Sequence, residues 1–280
     1  MSLLTIVIAL GFLQVWGAKN PLHYDGLYTR CVDAVSAWNT IGGFAFIIAP
    51  LCFIAPLGLI MYGYFSPQSW MGAIFLAFSV VILLYSLGRG EFVEIVAEYT
   101  KACYVEDWSA SLERAESLEV NTEGLEQGDW SALHERVLEE ASYRGFERMF
   151  AVIFWFVFFG PLGALYYRLL FLYCRRKTDD VRSAHLLWAM EWVPARLLAL
   201  SFSFTGNFVG SWGRWRELLF CFRSPTHSIL SGSALGALSV AEDTEQTCEV
   251  TRKELNMLGR LYARTLWFWL GALALLTLLP

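Results

Sequence analysis

From Ala34 to Gly88 the chain runs for 55 residues without one Asp, Glu, Lys, Arg or His. About 20 apolar residues cross the hydrocarbon core of a bilayer as a helix, and in lipid every backbone polar group must be satisfied within that helix. The run therefore holds two spans and a turn. The turn falls at Phe65-Ser66-Pro67-Gln68-Ser69, where proline and small polar residues end one helix and start the next. Trp38 and Trp70 fall near the helix ends, where amphipathic rings favour the headgroup layer.

Three more uncharged runs repeat the pattern. Met1 to Ala18 is followed by Lys19 and has neither a basic leader nor a small-x-small cleavage site, so it reads as a retained helix, not a removed signal peptide. Met149 to Tyr167 is interrupted by Gly160-Pro161 and followed by Arg168. Thr265 to Pro280 follows Arg260 and Arg264, whose long stems snorkel to the interface. Trp188 to Gly210 is largely apolar but carries Glu191, Pro194 and Arg196. A charge at the bilayer centre costs at least about 2.5 kcal/mol, so these side chains face protein or water. That segment either spans or dips in and returns.

Composition agrees. Apolar residues make up 56% of the chain and charged residues 17%, with 12 Trp and a mean hydropathy of +0.45. This excludes a disordered chain, a disulfide-dense secreted scaffold and an ordinary water-soluble enzyme. The net charge of −5 gives no basic footprint for a nucleic acid. The first partner is the lipid bilayer.

The acidity is concentrated. Between Arg89 and Arg148 there are 6 basic and 15 acidic residues, a net of −9, while the rest of the chain carries +4. The Ser66 loop and the C-terminal tail have no Lys or Arg, whereas Lys19, Arg30, Arg89, Lys101 and the Arg252 to Arg264 cluster lie at the opposite ends. Positive-inside logic puts the acidic segment in the cytoplasm and the last residues outside. The Gly160-Pro161 helix and the Trp188 segment must then both cross or both turn back, and Arg175, Arg176 and Lys177 between them favour turning back.

Residues 89–147 read as a layer of helices. Phe92, Ile95, Val96 and Tyr99 make one apolar stripe, Trp108, Leu112, Ala115 and Leu118 a second, and Trp130, Leu133, Val137 and Leu138 a third. Asn121, Gly124 and Gly128 separate the last two. The organisation expected is N-terminal transmembrane helices over 1–88 and the acidic cytoplasmic helices over 89–147. Interrupted membrane helices over 148–210, a polar helical and loop region over 211–255, and a C-terminal transmembrane helix over 256–280 follow. The fold class is all-α, a polytopic integral membrane protein with about five transmembrane helices, one or two of them re-entrant, and a cytoplasmic helical layer.

Chemistry-bearing motifs are sparse. The six cysteines show no Cys-x-x-Cys and no histidine at zinc-ligand spacing, and are expected to be free thiols with no metal. Glu91, Glu94 and Glu98 share one helix side and could hold Mg²⁺, or simply form a solvated face, the reading we prefer. Glu191 and Arg196, five apart across Pro194, are not an ideal helical pair and find partners elsewhere, as a functional site or as a buried structural ion pair. His227 follows Ser224-Pro225 in a loop, without a nucleophile or carboxylate at a recognisable spacing. No hydrolase elbow, Walker, dinucleotide or zincin motif is present, so no catalytic residue is assigned.

Two stretches carry a family resemblance. The run from Phe146 to Leu169, with Phe154-Trp155-Phe156, Gly160-Pro161 and Tyr167-Arg168, and the motif Glu191-Trp-Val-Pro-Ala-Arg-Leu197 resemble AmpE, a bacterial inner-membrane family associated with β-lactamase induction. Ser86-Leu-Gly-Arg89 fits the same pattern. AmpE is distantly similar to the CbiB/CobD membrane proteins of cobalamin biosynthesis, which join an aminopropanol arm to the corrin ring. In those enzymes the Pro-Ala-Arg motif is preceded by Arg-Leu-Asp-Asp and an Asn. Here the arginine position is His185, the two acidic positions are Leu187 and Trp188, and the asparagine position is Glu191. Their Ser-Pro-Asn-x-Gly motif looks like Ser224-Pro-Thr-His-Ser228, without the asparagine and glycine.

The resemblance implies a regulatory protein of the bacterial inner membrane, acting in β-lactamase induction or the response to peptidoglycan-recycling products. Arg89, Glu91, Arg168, Glu191, Arg196 and His227 are the candidate ligand-binding residues. Arginines converging at the cytoplasmic face suit a small anionic ligand, and a regulatory partner protein is the alternative. A CbiB-like ligase and a transporter of a cell-wall intermediate are the other function classes. The missing aspartates argue against the first, and the lack of paired interrupted helices in symmetric halves against the second.

Overall fold

The computed structural model describes residues 2–16, 25–37, 42–64, 71–88, 91–208, 225–239 and 247–278. Among them there is no strand. The helices are α1 (Ser2–Trp16), α2 (Gly26–Ser36), α3 (Ala45–Tyr64), α4 (Met71–Ser86), α5 (Glu91–Tyr104) and α6 (Trp108–Ser117). Then follow α7 (Trp130–Gly145), α8 (Ala151–Arg176), α9 (Val181–Thr205), α10 (Thr226–Ala237) and α11 (Cys248–Leu278). The expected Phe65 to Ser69 turn, Trp38 and Trp70 lie outside the described residues.

Among the described residues, two helical stretches are long and apolar enough to cross a membrane, Trp130–Arg176 and Cys248–Leu278. The first earns this through its second half, because residues 149–167 carry no charge. Ser2–Trp16, Ala45–Met61 and Gly72–Ser86 are apolar but shorter. Apolar helices therefore occur in all four uncharged runs, two of them in the first. Along α11, Trp267, Leu275 and Leu276 expose their side chains, an apolar surface suited to lipid.

The chain forms two compact units. The first comprises residues 1–89 and 148–191. Within it α3 and α4 pack on α8, α1 packs on α4, and α2 on α3. Its core gathers Tyr28 and Val32 of α2, Ala49 and Met61 of α3, and Leu165 and Leu169 of α8. Ala45 and Ala49, one turn apart and fully buried, are the small residues that let membrane helices approach closely. Tyr28 buries its ring but keeps its hydroxyl satisfied, donating to the Leu169 carbonyl at 2.8 Å.

Helix α8 breaks where the sequence says it must. Pro161 disfavours a helical residue before it, and Gly160 takes φ +68° and ψ −161°, a conformation open essentially to glycine alone. By contrast α9 runs through Pro194 as one helix from Val181 to Thr205.

The second unit comprises residues 90–147 and 192–280. Here α5 packs on α6 and α11, and α7 packs on α10 and α11. Asp107 caps α6 by accepting from the Ala110 amide, and Asp129 caps α7 by accepting from the Ala132 amide. Gly124 and Gly128 adopt positive φ in the connection, so the break between α6 and α7 is built from the residues that marked it. Tyr99, Ala115, Leu118, Leu133 and Val137 of the three stripes are buried. The α9 end is stapled to α11 by Thr205 bonding Thr265 at 2.8 Å and by the Trp269 indole donating to Ser201 at 2.8 Å.

The cysteine expectation is corrected in this unit. Cys103, at the end of α5, and Cys248, the first residue of α11, form a disulfide across 145 residues of sequence. Their pairing follows from the packing of α5 on α11, which spacing along the chain does not encode. Cys31, Cys52 and Cys174 are free thiols, and Cys221 lies outside the described residues.

Candidate functional site

The clearest polar constellation belongs to the second unit and is built on one face of α7. Arg136, Glu139, Glu140, Tyr143 and Arg144 recur at helical spacing and so project from one side. Arg144 is buried, only 4% exposed. Its guanidinium pairs with Glu119, which precedes α7, with Glu140 at 2.7 Å one turn earlier, and with Glu147 at 3.8 Å. One planar cation thus fixes carboxylates from three positions, the use to which a guanidinium fork is suited.

Helix α10 closes this face. His227, its second residue, stacks on the Tyr143 ring with centroids 3.8 Å apart and an interplanar angle of 28°. Its Nε2 lies 3.5 Å from Glu140. Ser228 donates to the Glu139 carboxylate at 3.2 Å. The Arg136 guanidinium donates to the carbonyls of Asn121 at 2.6 Å and Glu123 at 2.9 Å. Between these groups lies an open cavity of about 430 Å³, lined by Glu119, Glu123, Arg136, Glu139, Glu140 and His227 among others. Its volume is that of a small-molecule site, and both signs of charge face it.

The six residues expected from sequence divide between the units. Arg89 lies outside the described residues, and Glu91 opens α5 with its side chain outside them as well. Arg168 and Glu191 belong to the first unit, Arg196 and His227 to the second. Glu191 is buried and accepts from the Tyr167 hydroxyl at 3.0 Å. Arg168 is buried with its guanidinium 5.5 Å from the Phe171 ring. Arg196 donates to the Trp192 carbonyl at 3.1 Å and stacks its guanidinium 4.2 Å from the Trp192 ring, a cation–π contact. His227, read as a loop residue, is helical.

Arg144, Glu119 and Tyr143 are absent from the sequence reading. The Glu140–Arg144 spacing is a visible i,i+4 signal, but nothing in the chain marks Glu119 or His227 as its neighbours. Of the three carboxylates considered for Mg²⁺, Glu98 pairs with Arg114 at 3.3 Å, and the other two side chains lie outside the described residues. Leu187, at a position where the cobalamin enzymes are acidic, packs against the apolar core of the first unit.

Apolar helices of spanning length among the described residues, together with a charged cleft built on α7 and α10, define a helical membrane protein. The chain belongs to the AmpE family: the family described as "Regulatory signalling modulator protein AmpE" matches residues 1–278. It is also similar to a cobalamin biosynthesis protein CobD of Chromobacterium violaceum, with 27% identity over a 197-residue alignment that covers 55% of this chain and 63% of that protein. The chain thus spans less than two thirds of that curated relative. No solved structure matches it.

Proposed function

We propose that this chain is an inner-membrane regulator of β-lactamase induction that binds a small ligand derived from the cell wall at the His227 cleft, with residues 89–147 in the cytoplasm. The observation that carries the reading is the cleft itself. Its carboxylates are held by a buried arginine, and His227 is held by a stacked tyrosine. Arg136 supplies the positive side for the anionic group of the ligand and His227 a ring edge for hydrogen bonding, and Glu123 and Glu139 accept a cationic group. A peptide-bearing wall fragment carries both.

The test uses a strain lacking this gene, complemented with the wild-type chain, His227→Ala or Arg136→Ala, and exposed to an inducing β-lactam. Both variants are expected to reach wild-type membrane levels and to change β-lactamase induction at least severalfold. In detergent, a muropeptide is expected to raise the melting temperature of the wild type alone. Wild-type induction by both variants at equal protein level would overturn the reading. The similarity to CobD brings a ligase as the alternative, against which stand Leu187 and Trp188 at the two positions expected to be acidic. Restoration of cobalamin synthesis in a strain lacking that enzyme would favour it.

A further inference from the structure

A second cavity in the same unit, of about 420 Å³, is lined by Cys103, Cys248, His134, Trp130, Asp129 and Glu106 among others. Its arrangement is independent of the His227 cleft. His134 is buried on α7, and its Nε2 lies 3.7 Å from the Cys103 sulfur. Its Nδ1 lies 2.6 Å from the hydroxyl of the buried Tyr99.

The protons in this chain of contacts can be assigned. Burial pushes the Tyr99 phenol up, so it keeps its proton, and burial pushes His134 down to about 4, so its ring is neutral at pH 7. A neutral imidazole has one N–H. The Tyr99 O–H donates to Nδ1, which leaves the N–H on Nε2, facing the Cys103 sulfur. The two sulfurs also differ in access. Cys103 is 3% exposed, whereas Cys248 is half-buried at the head of α11.

We propose that Cys103 and Cys248 form a thiol–disulfide exchange site for a low-molecular-weight thiol, in which Cys248 is the attacked sulfur and Cys103 the thiolate that leaves onto His134. The incoming thiolate forms a bond to the Cys248 Sγ while the Cys103–Cys248 bond breaks, and its electron pair passes to the Cys103 Sγ, where the Nε2–H of His134 stabilises it. A second thiolate attacks the outer sulfur of the mixed disulfide, releases the small disulfide and leaves Cys248 as a thiolate. Two electrons pass from the two small thiols to the protein. Two protons follow from solvent. His134 acts on the reacting sulfur, and Tyr99 is a positioning residue that fixes which ring nitrogen bears the proton. Opening the bond unties α5 from the head of α11.

The test treats the detergent-solubilised full chain with cysteamine, quenches with acid and a maleimide, and maps every cysteine peptide by mass spectrometry. A transient cysteamine adduct is expected on Cys248 and not on Cys103. His134→Phe and Tyr99→Phe are expected to slow opening of the disulfide roughly tenfold. In a Cys103→Ser background, where no protein thiolate leaves, neither change is expected to alter the rate at which cystamine labels Cys248. That control separates a leaving-group effect from a general loosening of the fold, and Tyr99→Phe carries the test if His134→Phe does not fold. A disulfide inert to cysteamine in the folded protein, an adduct on Cys103, or wild-type rates in both variants would overturn the proposal.

Discussion

Tyr167 donates its hydroxyl to Glu191 at 3.0 Å, with the tyrosine fully buried and the carboxylate 3% exposed. The pair joins α8 to α9 inside the first unit. A carboxylate in that setting depends on each donor it has, because an unsatisfied buried polar group costs about 1–3 kcal/mol. Tyr167→Phe is therefore expected to lower the melting temperature in detergent clearly. Tyr104→Phe, at an exposed tyrosine, should leave it within error. In a double-mutant cycle with Glu191→Leu, which removes the acceptor, the two changes should be non-additive, and strict additivity would mean that the bond contributes nothing.

Arg144 predicts a larger effect. Removing it takes a cation from Glu140 and from the buried Glu147. Breaking a buried pair by removing one partner costs about 3–5 kcal/mol. Arg144→Met should therefore destabilise the second unit severely or abolish accumulation in the membrane. Arg176 makes a two-point contact with Asp33 at 2.7 and 3.1 Å, but both side chains are about half exposed. Arg176→Ala should cost at most about 1 kcal/mol. Thermal unfolding of the two variants side by side checks the contrast, and equal losses would contradict it.

These two arginines also show what the sequence discloses. The apolar runs were legible because a bilayer tolerates charge so poorly that its absence over 55 residues has one physical meaning. The breaks were legible because Gly128 and Gly160 permit a backbone other residues rarely adopt and Pro161 restricts the residue before it. The ion pairs around Arg144 were half legible: Glu140 stands one turn away, but Glu119 meets it only after the α6–α7 connection folds back. The Cys103–Cys248 bond and the stacking of His227 on Tyr143 were not legible at all, since each joins helices that the chain separates widely. Periodicity describes one helix face. It does not say which other face will cover it.

Gly160 offers a test of the backbone alone. At φ +68° and ψ −161° an added Cβ is strained whatever space surrounds it, at a cost of about 1–3 kcal/mol. Gly160→Ala should lower the unfolding temperature, whereas Gly271→Ala, whose Cβ would meet nothing within 4 Å, should leave it unchanged or raise it slightly. Equal behaviour of the two variants would mean that the break at Gly160 is not obligatory.

His134 gives stability a defined pH dependence. Burial pushes its ring down to about 4, while the unfolded chain binds the same proton near 6.5. The folded state therefore binds fewer protons than the unfolded state between these values, and its stability falls as the pH drops through that window. The contribution is fully present above pH 6.5 and is lost as the pH approaches 4, by about 3 kcal/mol in all. His134→Gln cannot charge, so its stability curve should be flatter than that of the wild type between pH 6.5 and 4.5. Carboxylates that titrate at the lower end are common to both proteins and cancel in the difference. Parallel curves across that window, from chemical unfolding in detergent, would show that His134 reaches water when it takes its proton.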